Sequence, residues 1–285
     1  MQTAARRTVS AGEDHIGKRD FERLARFIYD YSGIKMPSSK ATMLEGRLRR
    51  RLRALRLAGF DDYCRFLFDE DGLEQETIHL IDAVTTNKTD FFREPNHFTY
   101  MSESALPELA ARGIANLRIW SSACSTGAEP YTIAMVMEEF LRAGNRMDYR
   151  ILATDLSTDV LETARAGIYA QETVAPVPPA LRQRYVMQAV DARRREVRID
   201  PRLRARVAFG RLNLMDARYP LGDPMHMIFC RNVLIYFDKP TQGAVLSRLC
   251  ACLQPGGYLF IGHSESIAGL DLPVRQVANT VFQKL

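Results

Sequence analysis

Residues 117–139, LRIWSSACSTGAEPYTIAMVMEE, decide how this chain is read. Ile119 and Trp120 read as a short buried strand, and residues 121–127 are a turn of small residues. A helix then opens with Glu129 and Pro130 in its first turn and an apolar stripe of Ile133, Val136 and Met137. Proline is favoured at a helix start because its missing N–H would be unpaired there anyway, and small residues let a ligand lie against the backbone. Strand, small-residue turn and helix start together form the opening unit of a nucleotide-type α/β fold.

The form of the turn narrows its ligand. A dinucleotide loop reads GxGxxG and sets pyrophosphate on the helix N-terminus. Here Gly127 is the one glycine, and Glu129 stands where the phosphate would go. A carboxylate there repels phosphate and suits a hydroxyl-bearing or cationic ligand, such as the ribose, amine or sulfonium of S-adenosylmethionine. An ordinary βα turn, with Glu129 serving the helix dipole, fits the same residues. Thirty-five residues after Trp120, the strand-like YRILATDL (149–156) ends on Asp155. An acid there accepts from ribose hydroxyls, or caps the helix expected over 157–166, which Ser157 could do instead.

Towards the N-terminus the pattern is helical. Residues 1–18 are polar and expected to be disordered. Phe21, Leu24, Ala25, Ile28 and Tyr31 then recur at helical spacing, with Asp20 as a cap and Gly33 as the stop. A second helix, over about 40–57, sets Leu44, Leu48, Leu52 and Leu55 on one stripe and Arg49, Arg50, Arg53 and Arg56 on the other. Four like charges on one face repel one another, and an acidic partner would relieve that; a solvated charged face is the plainer reading. Shorter helices follow at 61–68 and 73–85. The segment 85–98, TTNKTDFFREPNHF, offers Asn87, Thr89 and Arg93 for binding while Phe91 and Phe92 pack, and a helix over 98–112 leads into the organising strand.

Towards the C-terminus the rhythm breaks at 168–206. Prolines at 176–179 and alternating pieces such as EVRID (196–200) indicate a small antiparallel insertion. Strands resume at 207–209 and 225–230, followed by RNVLIYF (231–237). A helix at 241–253, a sharp QPGG turn (254–257) and a strand at 258–262 come next. Asp155, Asn213 and Asn232, all at strand ends, would gather at the carboxyl edge of a parallel sheet, where such folds bind ligands.

The totals bound the class. At 285 residues, with 46% hydrophobic content, one large or two modest domains are expected. No run of 18 apolar residues is present, so no membrane span or insertion is expected, and the first residues carry no apolar signal core. Five cysteines lack metal-site spacing, so no metal is expected and a reducing cytoplasmic setting is. The net charge of +5 is uneven. Residues 40–57 carry seven Lys/Arg against one acid, residues 61–82 eight acids against one Arg, and residues 182–206 nine Arg against three acids. Local patches favour acidic protein partners over nucleic acid.

Taken in order, TTNKTDFFRE, SSACSTGAEPYTIA, ATDLS, FGRLNL, FCRNVLIYFD and LQPGGYLFIGHSES resemble the CheR family of chemotaxis receptor methyltransferases over about 21–285. The resemblance implies a Rossmann-like α/β methyltransferase sheet with an N-terminal all-α domain and a small antiparallel β insertion. The expected divisions are a helical receptor-docking domain at 19–85, a cofactor-covering linker at 86–98 and a methyltransferase domain at 99–285, with the insertion at about 168–206.

The resemblance further implies a protein-glutamate O-methyltransferase that uses S-adenosylmethionine, releases S-adenosylhomocysteine and esterifies glutamates on the cytoplasmic helical domain of chemoreceptors. It implies cofactor contacts at Asn87, Thr89, Arg93, Glu129, Asp155, Asn213, Leu214, Arg231 and Asn232, and receptor docking through the arginine helix, the enzyme working as a monomer. Members whose β-subdomain binds a receptor tether carry glycines in a loop that has none here (188–198).

A glutamate carboxylate, with a reference pKa near ~4.3, is ionised at neutral pH and needs no general base. Arg93 would orient or balance that carboxylate, and Tyr236 would donate a hydrogen bond from the site wall; a surface ion pair and a packed aromatic are the plainer alternatives. The Asn232-to-Tyr236 segment also loosely resembles the N-P-P-Y loop of nucleic-acid amino-methyltransferases, but Val233 and Leu234 stand where the prolines would be.

Overall fold

The computed structural model describes residues 15–191 and 193–285. The expected polar tail therefore falls mostly outside the described residues. The first described residues already belong to the fold: Ile16 is buried and donates its N–H to Glu45 Oε1 at 3.0 Å. The chain divides into two compact units, residues 1–85 and 86–285.

Four helices make the described part of the first unit: α1 (Lys18–Ser32), α2 (Ala41–Leu55), α3 (Phe60–Asp69) and α4 (Leu73–Val84). Each turns one apolar stripe inward. Phe21, Leu24 and Ile28, then Leu44, Leu48 and Leu52, then Phe60, Tyr63 and Leu67, then Leu80, Ile81 and Val84 are all buried. Asp20 does not cap α1, which begins two residues earlier, after Gly17; Asp20 lies within the first turn, where its charge still favours the helix dipole. Gly33 ends α1 at φ +73.

One buried ion pair locks this unit. Glu76, 2% exposed, takes Arg51 Nε at 2.7 Å and Nη2 at 2.8 Å in a bidentate fork, and the Tyr63 hydroxyl donates to the same carboxylate at 3.1 Å.

The second unit begins with α5 (Asn96–Tyr100), a π-helical turn at Met101–Ala105 and α6 (Leu106–Ala111). The helix expected from residue 98 thus starts two residues earlier, after Pro95, and is interrupted by a wider turn. There follow β1 (Asn116–Ser121), α7 (Ala128–Arg142), β2 (Asp148–Asp155), α8 (Thr158–Ala166), β3 (Ile168–Ala170), α9 (Pro179–Tyr185), β4 (Val186–Gln188), β5 (Glu196–Ile199), α10 (Pro201–Arg204) and β6 (Val207–Arg211). The chain finishes with β7 (Met225–Cys230), α11 (Lys239–Cys252), β8 (Leu253–Ile261), β9 (Val274–Ala278) and β10 (Val281–Lys284).

Seven strands form one sheet in the order β6-β2-β1-β7-β8-β10-β9. The five from β6 to β8 run parallel, while β10 and β9 close the edge antiparallel. Alternation along the strands splits the core between the two faces. Ile119, Met227, Phe229 and Phe260 face one way, and Trp120, Ile228, Cys230 and Ile261 the other. The insertion forms a separate three-stranded antiparallel sheet, β3-β5-β4.

Residues 254–257 are not a free-standing turn. They lie inside β8, which pairs with β7 from Met225↔Leu253 and shifts register between Met225 and Met227. Residues 254–257 fall in that shift without paired partners and Gly256 turns at φ +72, so the expected sharp turn is present as a bulge between Leu253 and Tyr258, where pairing resumes.

From β1 the chain builds outward through β2 to β6, then returns to add β7 and β8 on the opposite side. The carboxyl ends of β1 and β7 therefore flank the point where strand order reverses, the crevice in which such sheets bind ligands.

Candidate active site

The turn after β1 is fixed from both sides. Ser122 gives its N–H and its hydroxyl to the carbonyl of Phe229 on β7, at 2.9 and 3.0 Å. Cys124 N–H reaches the Thr154 carbonyl on β2 at 2.9 Å, and the Trp120 indole N–H bonds the Thr154 hydroxyl at 2.9 Å. Gly127 then turns at φ +90, a left-handed conformation that a side chain would strain, and an added Cβ would lie 2.9 Å from Ala164 on α8. That close approach sets α7 against α8.

Asp155, at the end of β2, accepts Ser125 N–H at 2.8 Å on one oxygen and Ser157 N–H at 3.0 Å on the other. Ser157 stands at the N-cap position without making the side-chain cap.

Asn87 lies against the same turn, its carbonyl taking the Ser125 hydroxyl at 2.7 Å. The segment after β6 joins through Leu212 N–H, which donates to the Asp155 carbonyl at 3.0 Å. It carries Asn213, whose Oδ1 accepts Met215 N–H at 3.0 Å, and the buried Leu214. Thr89 is half-buried in the segment that begins at Asn87.

At the other end of the turn, carboxylates converge on one guanidinium. The Arg231 side chain, 2% exposed, donates Nη1 to Glu129 Oε2 at 3.0 Å and Nη2 to Glu94 Oε2 at 3.0 Å. Nη2 also donates to the Arg93 carbonyl, and the guanidinium lies over the Phe98 ring at 5.3 Å. Glu129 takes the Ser121 hydroxyl at 2.7 Å on its other oxygen. Glu94 takes Asn232 Nδ2 at 3.0 Å and His263 N–H at 3.2 Å on its own.

These partners set the charge states. Burial pushes the Glu94 carboxyl up, but Asn232, Arg231 and His263 N–H outweigh it and hold its pKa down at about 2. Burial raises Glu129, against the pull of Arg231 and Ser121. Burial, and then Arg231, lower His97 to about 4, so it is neutral at physiological pH. The Thr280 hydroxyl donates to the Asn279 carbonyl at 2.8 Å and so accepts from His97 Nε2–H, also at 2.8 Å. That network assigns the tautomer. It leaves His97 Nδ1 buried without a hydrogen-bond partner, 3.5 Å from Glu94 Oε2.

Glu94, His97 and His263 bring three ligand-type atoms within 4.8 Å of one another. Both Glu94 oxygens already accept from Arg231, Asn232 or His263, so the guanidinium supplies the positive charge at that carboxylate.

A fourth carboxylate, Glu265, lies 7% exposed beneath the loop after β7. It accepts Gly262 N–H at 2.6 Å and Asn232 N–H at 3.0 Å on Oε2, and Leu234 N–H at 2.7 Å and Ile235 N–H at 3.3 Å on Oε1. Burial raises its pKa, while the four N–H groups pull the other way.

The structure therefore brings Glu129, Arg231 and Asn232 into one network, and Asn87, Asp155, Asn213 and Leu214 to the neighbouring carboxyl edge. Arg93 joins the network through its carbonyl; its guanidinium turns to the Lys88 carbonyl at 3.0 Å. Tyr236 sits half-buried on a short 3-10 turn, Leu234–Tyr236. Glu94, His97 and Glu265 carry no role in the sequence reading. Glu94 and Glu265 lie inside the quoted TTNKTDFFRE and GHSES motifs, and that membership was the signal available.

Acceptors of this kind fit S-adenosylmethionine. Asp155 suits hydroxyls, Glu129 suits a cation, and small residues form the floor. A mostly parallel sheet with such acceptors at its carboxyl edge suits a methyltransferase of the S-adenosylmethionine-dependent class. Family models described as "CheR methyltransferase, all-alpha domain" and "CheR methyltransferase, SAM binding domain" match residues 19–85 and 87–282. The chain belongs to the CheR methyltransferase family.

Relatives match along nearly their whole length. "Chemotaxis protein methyltransferase 2" of Pseudomonas aeruginosa is 39% identical over 270 residues, covering 95% of this chain and 94% of that one. "Chemotaxis protein methyltransferase" of Klebsiella aerogenes is 41% identical over 264 residues, covering 92% and 88%. The protein of the same description from Borreliella burgdorferi is 38% identical, covering 90% of each chain.

Proposed function

We propose that this enzyme methylates glutamate side chains on the cytoplasmic helical domain of chemoreceptors, forming methyl esters from S-adenosylmethionine for sensory adaptation in chemotaxis. The observation that carries the reading is the network itself. Glu94, Glu129 and Glu265 all hold protein hydrogen bonds, and His97 Nε2 is committed to Thr280. The three carboxylates are thus engaged, and His97, lowered to about 4 by burial and Arg231, is a poor base at neutral pH. A substrate that is already a nucleophile at neutral pH suits such a site, and a glutamate carboxylate is one. The relatives described as chemotaxis protein methyltransferases support methyl transfer in chemotaxis.

When bound, the cofactor supplies a methyl group already activated by its sulfonium. The protein's part is alignment and exclusion of water, and positioning of this kind supplies roughly 7–11 kcal/mol in favourable cases. Asp155 and Glu129 orient the cofactor's hydroxyl-bearing and cationic ends, with Asn87, Thr89, Asn213 and Leu214 lining the path between them. Arg231 balances Glu94 and Glu129, so the buried network carries fewer uncompensated charges. Arg93 is half-buried at the rim, and rotation away from the Lys88 carbonyl would free it to meet the substrate carboxylate. Tyr236 offers a phenol from the loop after β7.

In the first unit, Arg50, Arg53 and Arg56 are exposed, while Arg49 is half-buried with its guanidinium 5.5 Å from the Phe60 ring centre. This face docks the acidic receptor helix, since arginine forms forked pairs with carboxylates. The monomeric enzyme acts in the cytoplasm; no described helix is long and apolar enough to cross a membrane.

The test is peptide mapping of a receptor cytoplasmic fragment after incubation with enzyme and cofactor. Methyl on glutamate, absent when those glutamates are alanine, supports the reading; methyl on nitrogen, or on nucleic acid instead, sinks it. Arg93→Lys and Tyr236→Phe should lower turnover at saturating cofactor, and unchanged turnover removes the corresponding assignment.

A further inference from the structure

Glu265 has no role in the chemistry described so far, yet few side chains in the molecule are so fully engaged. Its carboxylate gathers four backbone N–H groups from two segments: Gly262 at the end of β8, and Asn232, Leu234 and Ile235 in the loop after β7. Backbone donors that converge on one ionised group give short, charge-assisted bonds. The loop they hold is not regular structure. Asn232 sits at φ +58, a conformation that costs free energy unless the surroundings enforce it.

Gly262 lets the three parts meet. A Cβ there would lie 2.5 Å from Asn232 Nδ2, 2.9 Å from Asn232 N and 2.9 Å from Glu265 Oε2. Asn232 is thus gripped twice, by Glu265 on its backbone and by Glu94 on its side-chain amide. With Nδ2 committed to Glu94, the amide is oriented so that Oδ1 is the acceptor left for a ligand.

We propose that Glu265 is a positioning residue for methyl transfer: its carboxylate holds residues 232–236 in the one arrangement that presents Asn232 and Tyr236 to the site. Leu234 is buried beneath this loop while Ile235 is 49% exposed, so the carboxylate lies on the interior side and the loop offers its outer side to the substrate. The inference rests on the proposed reaction for its kinetic readout and on geometry alone for its structural one.

The experiment compares wild type with Glu265→Gln and Glu265→Asp. Amide hydrogen exchange is read at Asn232, Leu234, Ile235 and Gly262, and turnover is read on a receptor fragment at saturating cofactor. Gln keeps one acceptor oxygen and faces two N–H groups with an NH2. All four amides should exchange at least about tenfold faster, β8 amides such as Phe260 should keep their protection, and turnover should fall about a hundredfold, the cost of a misplacement near 1 Å. Asp keeps the charge on a shorter arm and should restore part of both; it also serves if the Gln variant does not fold.

Unchanged exchange in both variants overturns the proposal, because the carboxylate then does not hold the loop. Faster exchange with turnover within twofold of wild type overturns it as well, because the loop's position then does not matter. A wild-type enzyme inactive on every receptor fragment counts against the proposed reaction, and the exchange result still judges the grip of Glu265 on the loop.

Discussion

Arg231 and the arginines of α2 use the same side chain in opposite ways. The Arg231 side chain is 2% exposed and bound by Glu94, Glu129 and the Arg93 carbonyl. Arg53 and Arg56 are exposed, and the one acid of α2, Glu45, is buried and turned to Ile16 N–H and His15. Within the same helix, Arg51 follows the first pattern, its guanidinium forked onto the buried Glu76. A guanidinium whose charge is matched inside the fold fixes geometry, whereas one left outward can act on something else. The contrast separates residues that build the site from residues that meet a partner.

The contrast breaks most sharply on removal of Arg231. Arg231→Met leaves Glu94 and Glu129 facing each other without compensation, and stranding a buried charge costs about 3–5 kcal/mol. The unfolding midpoint in denaturant should fall accordingly, and cofactor affinity by calorimetry should fall with it. A variant as stable as wild type would mean that the network carries no net charge to balance.

Acid should erode the buried side in two stages. His97 and His226 are both lowered to about 4, chiefly by burial, with Arg231 acting on the first and Arg118 on the second. Unfolded histidines take protons first, so stability is full above about pH 6.5 and is lost as pH falls towards 4, on the order of 3 kcal/mol per histidine. Glu94, depressed to about 2, adds stability above its unfolded pKa of about 4.3 that disappears as pH falls through 2. Unfolding free energy against pH should show both slopes, and replacing both histidines with glutamine should flatten the first. A profile flat from pH 6.5 to 4 would contradict the neutral state of His97 in the folded protein.

The smallest free-energy effect belongs to the exposed arginines. Replacing Arg50, Arg53 and Arg56 with glutamine should weaken binding to a receptor fragment about tenfold and flatten its salt dependence. Thermal stability should stay close to wild type, since exposed charges contribute little. Affinity unchanged with salt and substitution would remove the docking role.

How much of this was legible in the sequence follows from how local each signal is. The β1 turn, Asp155 at the end of β2 and the helical stripes of α1 and α2 rest on spacing and residue type within a few positions, and those were readable. The QPGG turn was readable too, but its place as a bulge within β8 was not, because that depends on β7, a pairing between residues 225–230 and 253–261. The partners of Arg231 were hidden for the same reason: Glu94 is 137 residues away and Glu129 is 102. Asp20 misled on a smaller scale, since the helix start moved by two residues. Glu265 could be placed in a motif but not given a task, because a carboxylate gathering backbone N–H groups leaves no pattern in residue type.

The most direct test of the central claim is transfer of labelled methyl from S-adenosylmethionine to a receptor cytoplasmic fragment, followed by mild base. Label that enters the fragment, leaves as methanol in base and never enters a fragment whose methyl-accepting glutamates are alanine is the predicted result. Cofactor binding without transfer across several receptors, or label that survives base, would contradict it.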